Sequence, residues 1–281
     1  MDINLRNRIA AMSVQYLQFS LDYLIDSYAK CGIHNIEFWA GEPHYYRMDY
    51  LTRFEAANKL KSIKARFTDN GIKVIMFTPE TLNYPYSFSH PDQAVRNRTV
   101  EFFDMCCQDA LELDCHRIFI NTGCGLRDIK REESWKRVVD SLVRLCDVGK
   151  KYNIDFVLEQ LQPYESNLVT TLAEMKQVIK DVGQPNLKIC LDVVAMEVAG
   201  ENMKDWFQEF GEDIEHIHLA DRNHQILGTG DYPIKTYLEY LDLVNFDGYI
   251  SLEINDSIYW MDPHHSLYQS IDYLNNYFAQ A

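Results

Sequence analysis

The sequence predicts an α/β fold: a (βα)8 TIM barrel in a single domain over residues 1–281, with its active site at the C-terminal end of the strands. Three observations predict it. The chain has 281 residues, near the roughly 250 that such barrels use. A phrase of turn, short β-rich run, turn and amphipathic helix recurs eight times, with starts about 27 to 44 residues apart, room for one strand and one covering helix. Neither a G-x-G-x-x-G nor a Walker sequence is present, whereas a doubly wound sheet often carries a Gly-rich phosphate loop. Strand–helix alternation from end to end calls for parallel strands with helices outside.

Strands are expected at residues 8–13, 35–39, 73–77, 117–121, 155–159, 188–192, 215–219 and 249–254. The helix over 51–70 is expected to turn Leu51, Phe54, Ala57, Leu60, Ile63 and Phe67 to one face. The next, over 92–113, opens behind Pro91, a residue suited to a first helical turn. Thr171 and Glu174 have the spacing of a capping box that opens another. No stretch reads as a linker.

Composition bounds the function. Apolar residues at 47% and charged residues at 25% are globular averages that supply a large core. A formal net charge of −15 without any basic run argues against nucleic acid or an anionic membrane as partner, since both need clustered Lys and Arg. Residues 1–11 lack an apolar h-region, and no run nears the roughly 18 apolar residues of a membrane span. The expectation is a soluble, cytoplasmic protein. Cys31, Cys106, Cys107, Cys115, Cys124, Cys146 and Cys190 are odd in number, form no C-x-x-C and mostly sit in apolar patterns, as core thiols do in a reducing compartment.

Barrel enzymes work at the carboxyl ends of their strands. Two-residue alternation sends Phe156 and Leu158 outward and Val157 and Glu159 inward. Likewise Ile189 and Leu191 face out and Asp192 in, Ile217 out and His216 and His218 in, Ile250 and Leu252 out and Glu253 in. A lone strand-end acid ordinarily caps a helix or makes an ion pair, and His216, one layer down, reads as a hydrogen-bonded interior histidine. The joint pattern differs: three carboxylates within a few ångströms repel unless a cation compensates them. One divalent metal ion held by Glu159, Asp192, His218 and Glu253 is the simplest cation. Oxygen ligands with one imidazole suit Mn²⁺, Mg²⁺ or Co²⁺, with Zn²⁺ as the alternative.

The phrases Ile36-Glu-Phe-Trp-Ala-Gly-Glu-Pro-His44, Phe77-Thr-Pro-Glu-Thr-Leu-Asn-Tyr-Pro-Tyr86, Leu158-Glu-Gln-Leu-Gln-Pro-Tyr-Glu-Ser-Asn167, His216-Ile-His-Leu-Ala-Asp221 and Phe246-Asp-Gly-Tyr resemble the xylose-isomerase-like barrel superfamily of sugar isomerases and epimerases, and within it the fructoselysine 3-epimerases. The resemblance spans nearly the whole chain. It implies that Glu159, Asp192, His218 and Glu253 are metal ligands, that Glu159 and Glu253 also move protons, and that Glu165 helps hold the substrate. It also implies a homodimer or homotetramer, on which composition is silent. Two positions depart from the tagatose and psicose 3-epimerases: Ala195 replaces their substrate-binding His, and His224 their Arg. Fructoselysine-type enzymes carry Ala at the first position too.

The expected reaction is 3-epimerisation of a ketose or ketosamine such as fructoselysine. The proton on carbon 3 is abstracted while the metal, as Lewis acid, stabilises the enediolate charge. Glu159 and Glu253, on strands flanking the other two, serve as the acid–base pair. Trp39, His44, Tyr84 and Tyr86 on the loops after strands 2 and 3 are candidates to contact a sugar or its arm, with loop packing as the alternative. Glu42 and Glu80 are candidates to face an ammonium group. Competing activities are other isomerisations of the superfamily, epimerisation of a phosphorylated pentulose, a trinuclear-zinc endonuclease, and metal binding without turnover. The mouth loops offer few cations beyond Arg47, Arg127 and Arg222, so a phosphosugar ranks second. Strands 3 and 4 end on Thr78 and Asn121 rather than the histidines a trinuclear zinc site needs.

Overall fold

A computed structural model describes residues 3–81 and 85–280. Eight parallel strands close into a barrel in sequence order: β1 Ile9–Met12, β2 Asn35–Ala40, β3 Lys73–Pro79, β4 Arg117–Asn121, β5 Asp155–Glu159, β6 Leu187–Asp192, β7 Ile214–Leu219 and β8 Tyr249–Leu252. β8 pairs with β1, so no sheet edge is left open. Helices Leu21–Cys31, Arg53–Asp69, Gln93–Glu112, Arg131–Tyr152, Leu172–Val182, Met203–Phe210, Ile234–Leu243 and Pro263–Gln280 follow the successive strands. β4 and β5 have the expected bounds, and the other strands differ from expectation by one or two residues at an end.

Alternation builds two cores. Outward residues such as Ile36, Phe38, Phe156, Leu158, Ile189, Leu191, Ile217, Ile250 and Leu252 pack under the helices. Inside the barrel, Ala10, Ile75, Met76, Phe119, Val157 and Cys190 form a small apolar plug. Polar side chains lie above this plug, toward the strands' carboxyl ends.

Local chemistry sets the helix starts. Thr52 and Glu55 form a complete capping box, each side chain accepting from the other's backbone N–H. Thr171 accepts from the Glu174 N–H as expected, but the Glu174 carboxylate turns to the Thr170 N–H and to Arg131 instead of closing the box. Gly32 and Gly183 end their helices in the left-handed conformation, at φ 67° and 61°.

The expected face of the second helix is corrected at its start. Ala56, Leu60, Ile63 and Phe67 are buried, while Leu51 is 96% and Phe54 74% exposed. Leu51 precedes the Thr52 cap and is outside the helix, and Phe54, two steps of three back from Leu60 at about 300° each, is roughly a third of a turn off the buried face. No helix among the described residues is long and apolar enough to cross a membrane. All seven cysteines are free, and six are buried.

Candidate active site

Four consecutive strands bring their polar inward residues to one rim. β5 ends on Glu159 and β6 on Asp192, β7 presents His218 one residue before its end, and Glu253 directly follows β8. His218 is the hub. Its Nδ1 lies 2.5 Å from Glu159 Oε1 and 3.2 Å from Glu253 Oε2, and the Phe119 ring stacks on it at 5.3 Å. Asp192 also caps the helix Val193–Val198, accepting from the N–H groups of Val194 and Ala195. His224 closes the ring of groups, its Nε2 being 3.6 Å from Asp192 Oδ2 and 3.3 Å from Glu253 Oε2.

His224 reaches that position through two consecutive left-handed residues, Asn223 at φ 59° and His224 at φ 57°. Such backbone is uncommon outside glycine, and Asn accepts it more readily than most. The result is two overlapping triplets, Glu159–His218–Glu253 and Asp192–His224–Glu253, each with donor atoms within 4.8 Å of one another.

Burial and charge push the two outer glutamates apart. Burial lifts Glu159 to about 8, against the pull of His218. Burial acts on Glu253 in the same direction, but His218 and His224 outweigh it and hold that carboxyl at about 2. Glu253 Oε2 is buried and makes no aligned hydrogen bond, with the His218 and His224 nitrogens 3.2 and 3.3 Å away. Three carboxylates, one of them carrying this oxygen, and an imidazole nitrogen together fit a divalent cation.

Glu159, Asp192, His224 and Glu253 line a cavity of about 290 Å³, with His218 fully buried behind them, close to the lower bound of the roughly 300–1,000 Å³ usual for small-molecule sites. Its wall includes Trp39, Glu80, Tyr164, Glu165, Asn223 and Asp256. Trp39 donates its indole N–H to Glu80 at 2.9 Å. The Glu165 carboxylate accepts from the Gln162 N–H at 3.0 Å, and burial raises its proton affinity. Thr78 and Asn121 line the cavity as well.

The structure corrects several expectations. His44 does not line the cavity; it is buried, with Nε2 bonded to the Phe19 carbonyl at 2.9 Å. Tyr84 lies outside the described residues. Tyr86 is buried, stacked on Phe102 at 4.0 Å, and takes the packing role. Glu42 faces Asp49, which raises its proton affinity. None of the three arginines named for the mouth lines the cavity: Arg47 bonds the Tyr50 carbonyl, Arg127 the carbonyls of Pro163 and Tyr164, and Arg222 the Asp231 carboxylate. Among the described residues, no Lys or Arg lines the cavity.

Strand-end reasoning also passed over residues that matter. Glu37, fully buried on β2, accepts from Thr78 Oγ1 at 2.7 Å, His216 Nε2 at 2.9 Å and His218 Nε2 at 3.0 Å. Burial opposes its ionisation, and the two imidazoles outweigh burial and hold it well below the usual carboxylate range. The signal was in the sequence: Glu37 sits between outward Ile36 and Phe38, so it points inward like Glu159. Phe119, between outward Ile118 and Ile120, follows the same rule, whereas Tyr164 lies between strands and leaves no such mark.

Comparison with known proteins agrees with this architecture. A family model described as "Xylose isomerase-like TIM barrel" matches residues 25–277. Fructoselysine 3-epimerase of Escherichia coli O157:H7 is 26% identical over 231 residues, spanning 80% of this chain and 82% of that one. D-psicose 3-epimerase of Agrobacterium fabrum (strain C58) is 26% identical over 238 residues, 82% of this chain and 77% of that one. Among solved structures, an L-ribulose 3-epimerase aligns with TM-score 0.80 at 20% identity, over 97% of this chain and 95% of the other. The named relatives are isomerase-class enzymes. Since the matched segment runs from the first barrel helix into the last, the chain belongs to the xylose isomerase-like TIM barrel family.

Proposed function

We propose that this protein is a metal-dependent 3-epimerase of a ketose or ketosamine, with fructoselysine as the leading substrate. The observation that carries the proposal is the pair Glu159 and Glu253, which approach one imidazole nitrogen of His218 at 2.5 and 3.2 Å from the ends of β5 and β8. Glu159, Asp192, His218 and Glu253 would hold one divalent ion, Mn²⁺, Mg²⁺ or Co²⁺ by ligand type. Bound there, such an ion would supply Lewis-acid stabilisation of the negative charge that develops on the sugar.

The chain does the rest. One of the two glutamates removes the carbon-3 proton and the other returns a proton to the opposite face, the roles exchanging with direction. Glu165 and His224 hold sugar hydroxyls, and the Trp39 face bounds the sugar's far side. A carboxylate-lined wall with no Lys or Arg among its described residues favours a neutral or cationic sugar over a phosphorylated one. The likeness to fructoselysine 3-epimerase supports the ketosamine. Free thiols throughout suit the reducing cytoplasm.

The test is product analysis after incubating Mn²⁺-reconstituted protein with fructoselysine, psicose and tagatose. Appearance of the carbon-3 epimer of fructoselysine faster than that of either free ketose supports the proposal. Absence of any carbon-3 epimer with all three sugars removes it.

A further inference from the structure

We propose that Glu37 is a positioning residue: it fixes the proton of His218 on Nε2 and thereby aims the Nδ1 lone pair at the cation site. The inference rests on the metal-binding role assigned to His218 above. Glu37 is 0% exposed, a place where a carboxylate survives only with several charge-matched donors. It has three. Thr78 Oγ1 donates to Oε1 at 2.7 Å, and the Nε2–H groups of His216 and His218 reach Oε2 at 2.9 and 3.0 Å.

An ionised carboxylate only accepts, so each imidazole must carry its proton on the nitrogen facing Glu37. For His218 the other nitrogen, Nδ1, is then the one turned toward Glu159 and Glu253. A ring nitrogen offers a lone pair to a cation when its partner nitrogen holds the proton, and a carboxylate on that partner also raises ligand basicity.

His216 completes the device. Its Nδ1 has no hydrogen-bond partner, and its Nε2–H occupies a lone pair around which Glu37 could otherwise turn. The His218 ring is clamped in plane by Phe119 stacked at 5.3 Å and His216 edge-on at 5.2 Å. Proton placement and ring orientation are thus set by β2, β3, β4 and β7, none of which donates a carboxylate to the site.

The experiment compares wild-type, Glu37→Gln and Thr78→Val proteins, each stripped of metal and titrated with Mn²⁺ by calorimetry. In Glu37→Gln the amide NH₂ replaces one carboxylate oxygen, and His218 Nε2 lies near both, 3.2 Å from Oε1 and 3.0 Å from Oε2. Either orientation therefore sets a donor against the His218 Nε2–H and favours moving that proton to Nδ1, where it blocks the lone pair. Mn²⁺ affinity is expected to fall about tenfold to a hundredfold in Glu37→Gln and less in Thr78→Val, with far-UV circular dichroism unchanged. In ¹⁵N-labelled, Zn²⁺-loaded wild-type protein, His218 should show protonation at Nε2 alone, a pattern lost in Glu37→Gln. If wild-type protein binds Mn²⁺ and Glu37→Gln binds it equally well, the positioning role is overturned and the metal site stands. If wild-type protein takes up no Mn²⁺, the site and the inference fall together. Should Glu37→Gln fail to fold, Thr78→Val decides: weakened Mn²⁺ binding supports the role, and unchanged binding overturns it.

Discussion

Glu253→Gln is the substitution whose outcome is best constrained by the geometry. The backbone around Glu253 does not depend on its carboxylate: the N–H donates to the Leu219 carbonyl at 3.2 Å, and Leu252 and Ile254 on either side are buried. Glutamine keeps the volume, so the barrel should stay closed. What changes is the oxygen that faces two imidazoles at 3.2 and 3.3 Å. Whichever way the amide turns, no group able to take a proton remains there. Loss of a general acid–base group costs roughly 10²–10⁴ in rate, or about 2.7–5.4 kcal/mol of barrier. The assay is kcat for carbon-3 epimerisation at saturating Mn²⁺, which separates proton transfer from weakened metal binding. KM should change far less than kcat. Adding Glu159→Gln should lower kcat little further, because two halves of one proton relay do not act additively. A Glu253→Gln protein with wild-type kcat would refute the acid–base assignment.

Other outcomes follow from the same structure. Chelation should abolish turnover, and restoring Mn²⁺ at a hundred times its dissociation constant should stabilise the fold by about 2.7 kcal/mol, read as a rise in thermal midpoint; an unchanged midpoint contradicts the metal site. Asp109 is buried against the Tyr45 hydroxyl at 2.7 Å, and burial lifts its carboxyl from 3.8 to about 6. The folded state therefore holds this proton more tightly than the unfolded one, and its contribution to stability falls by about 2 kcal/mol as pH rises from about 4 to about 6. Asp109→Asn should remove that slope from urea unfolding measured across the window. Leu60→Ala should cost about 2–5 kcal/mol, while Leu51→Ser and Phe54→Ser should stay within about 0.5 kcal/mol; urea midpoints distinguish them.

How much was legible in the sequence depended on which periodicity governs a residue. Two-residue alternation in short strands leaves little freedom, so Glu159, Asp192, His218 and Glu253 could be placed on one rim before any coordinates. The same rule would have found Glu37, had β2 been read for inward polar residues below its end. Counting by threes drifts off a helix face and does not mark where the helix starts, so Phe54 turns away from the buried side and Leu51 lies before the Thr52 cap. Loop side chains obey no period at all. Trp39 continues a strand and lines the cavity, whereas His44, five residues on, turns into the body of the protein toward the Phe19 carbonyl. The left-handed pair Asn223–His224 that returns an imidazole to the site is likewise invisible to pattern, since neither residue is a glycine.

The central claim is that a proton leaves and rejoins carbon 3 of the sugar. Proton NMR of fructoselysine incubated in D₂O with Mn²⁺-reconstituted enzyme, quenched and stripped of the ion before recording, tests it directly. The account predicts deuterium at carbon 3, accompanied by the inverted epimer and none at carbon 1. Deuterium at carbon 1, or inversion at carbon 3 without any solvent deuterium, would contradict it.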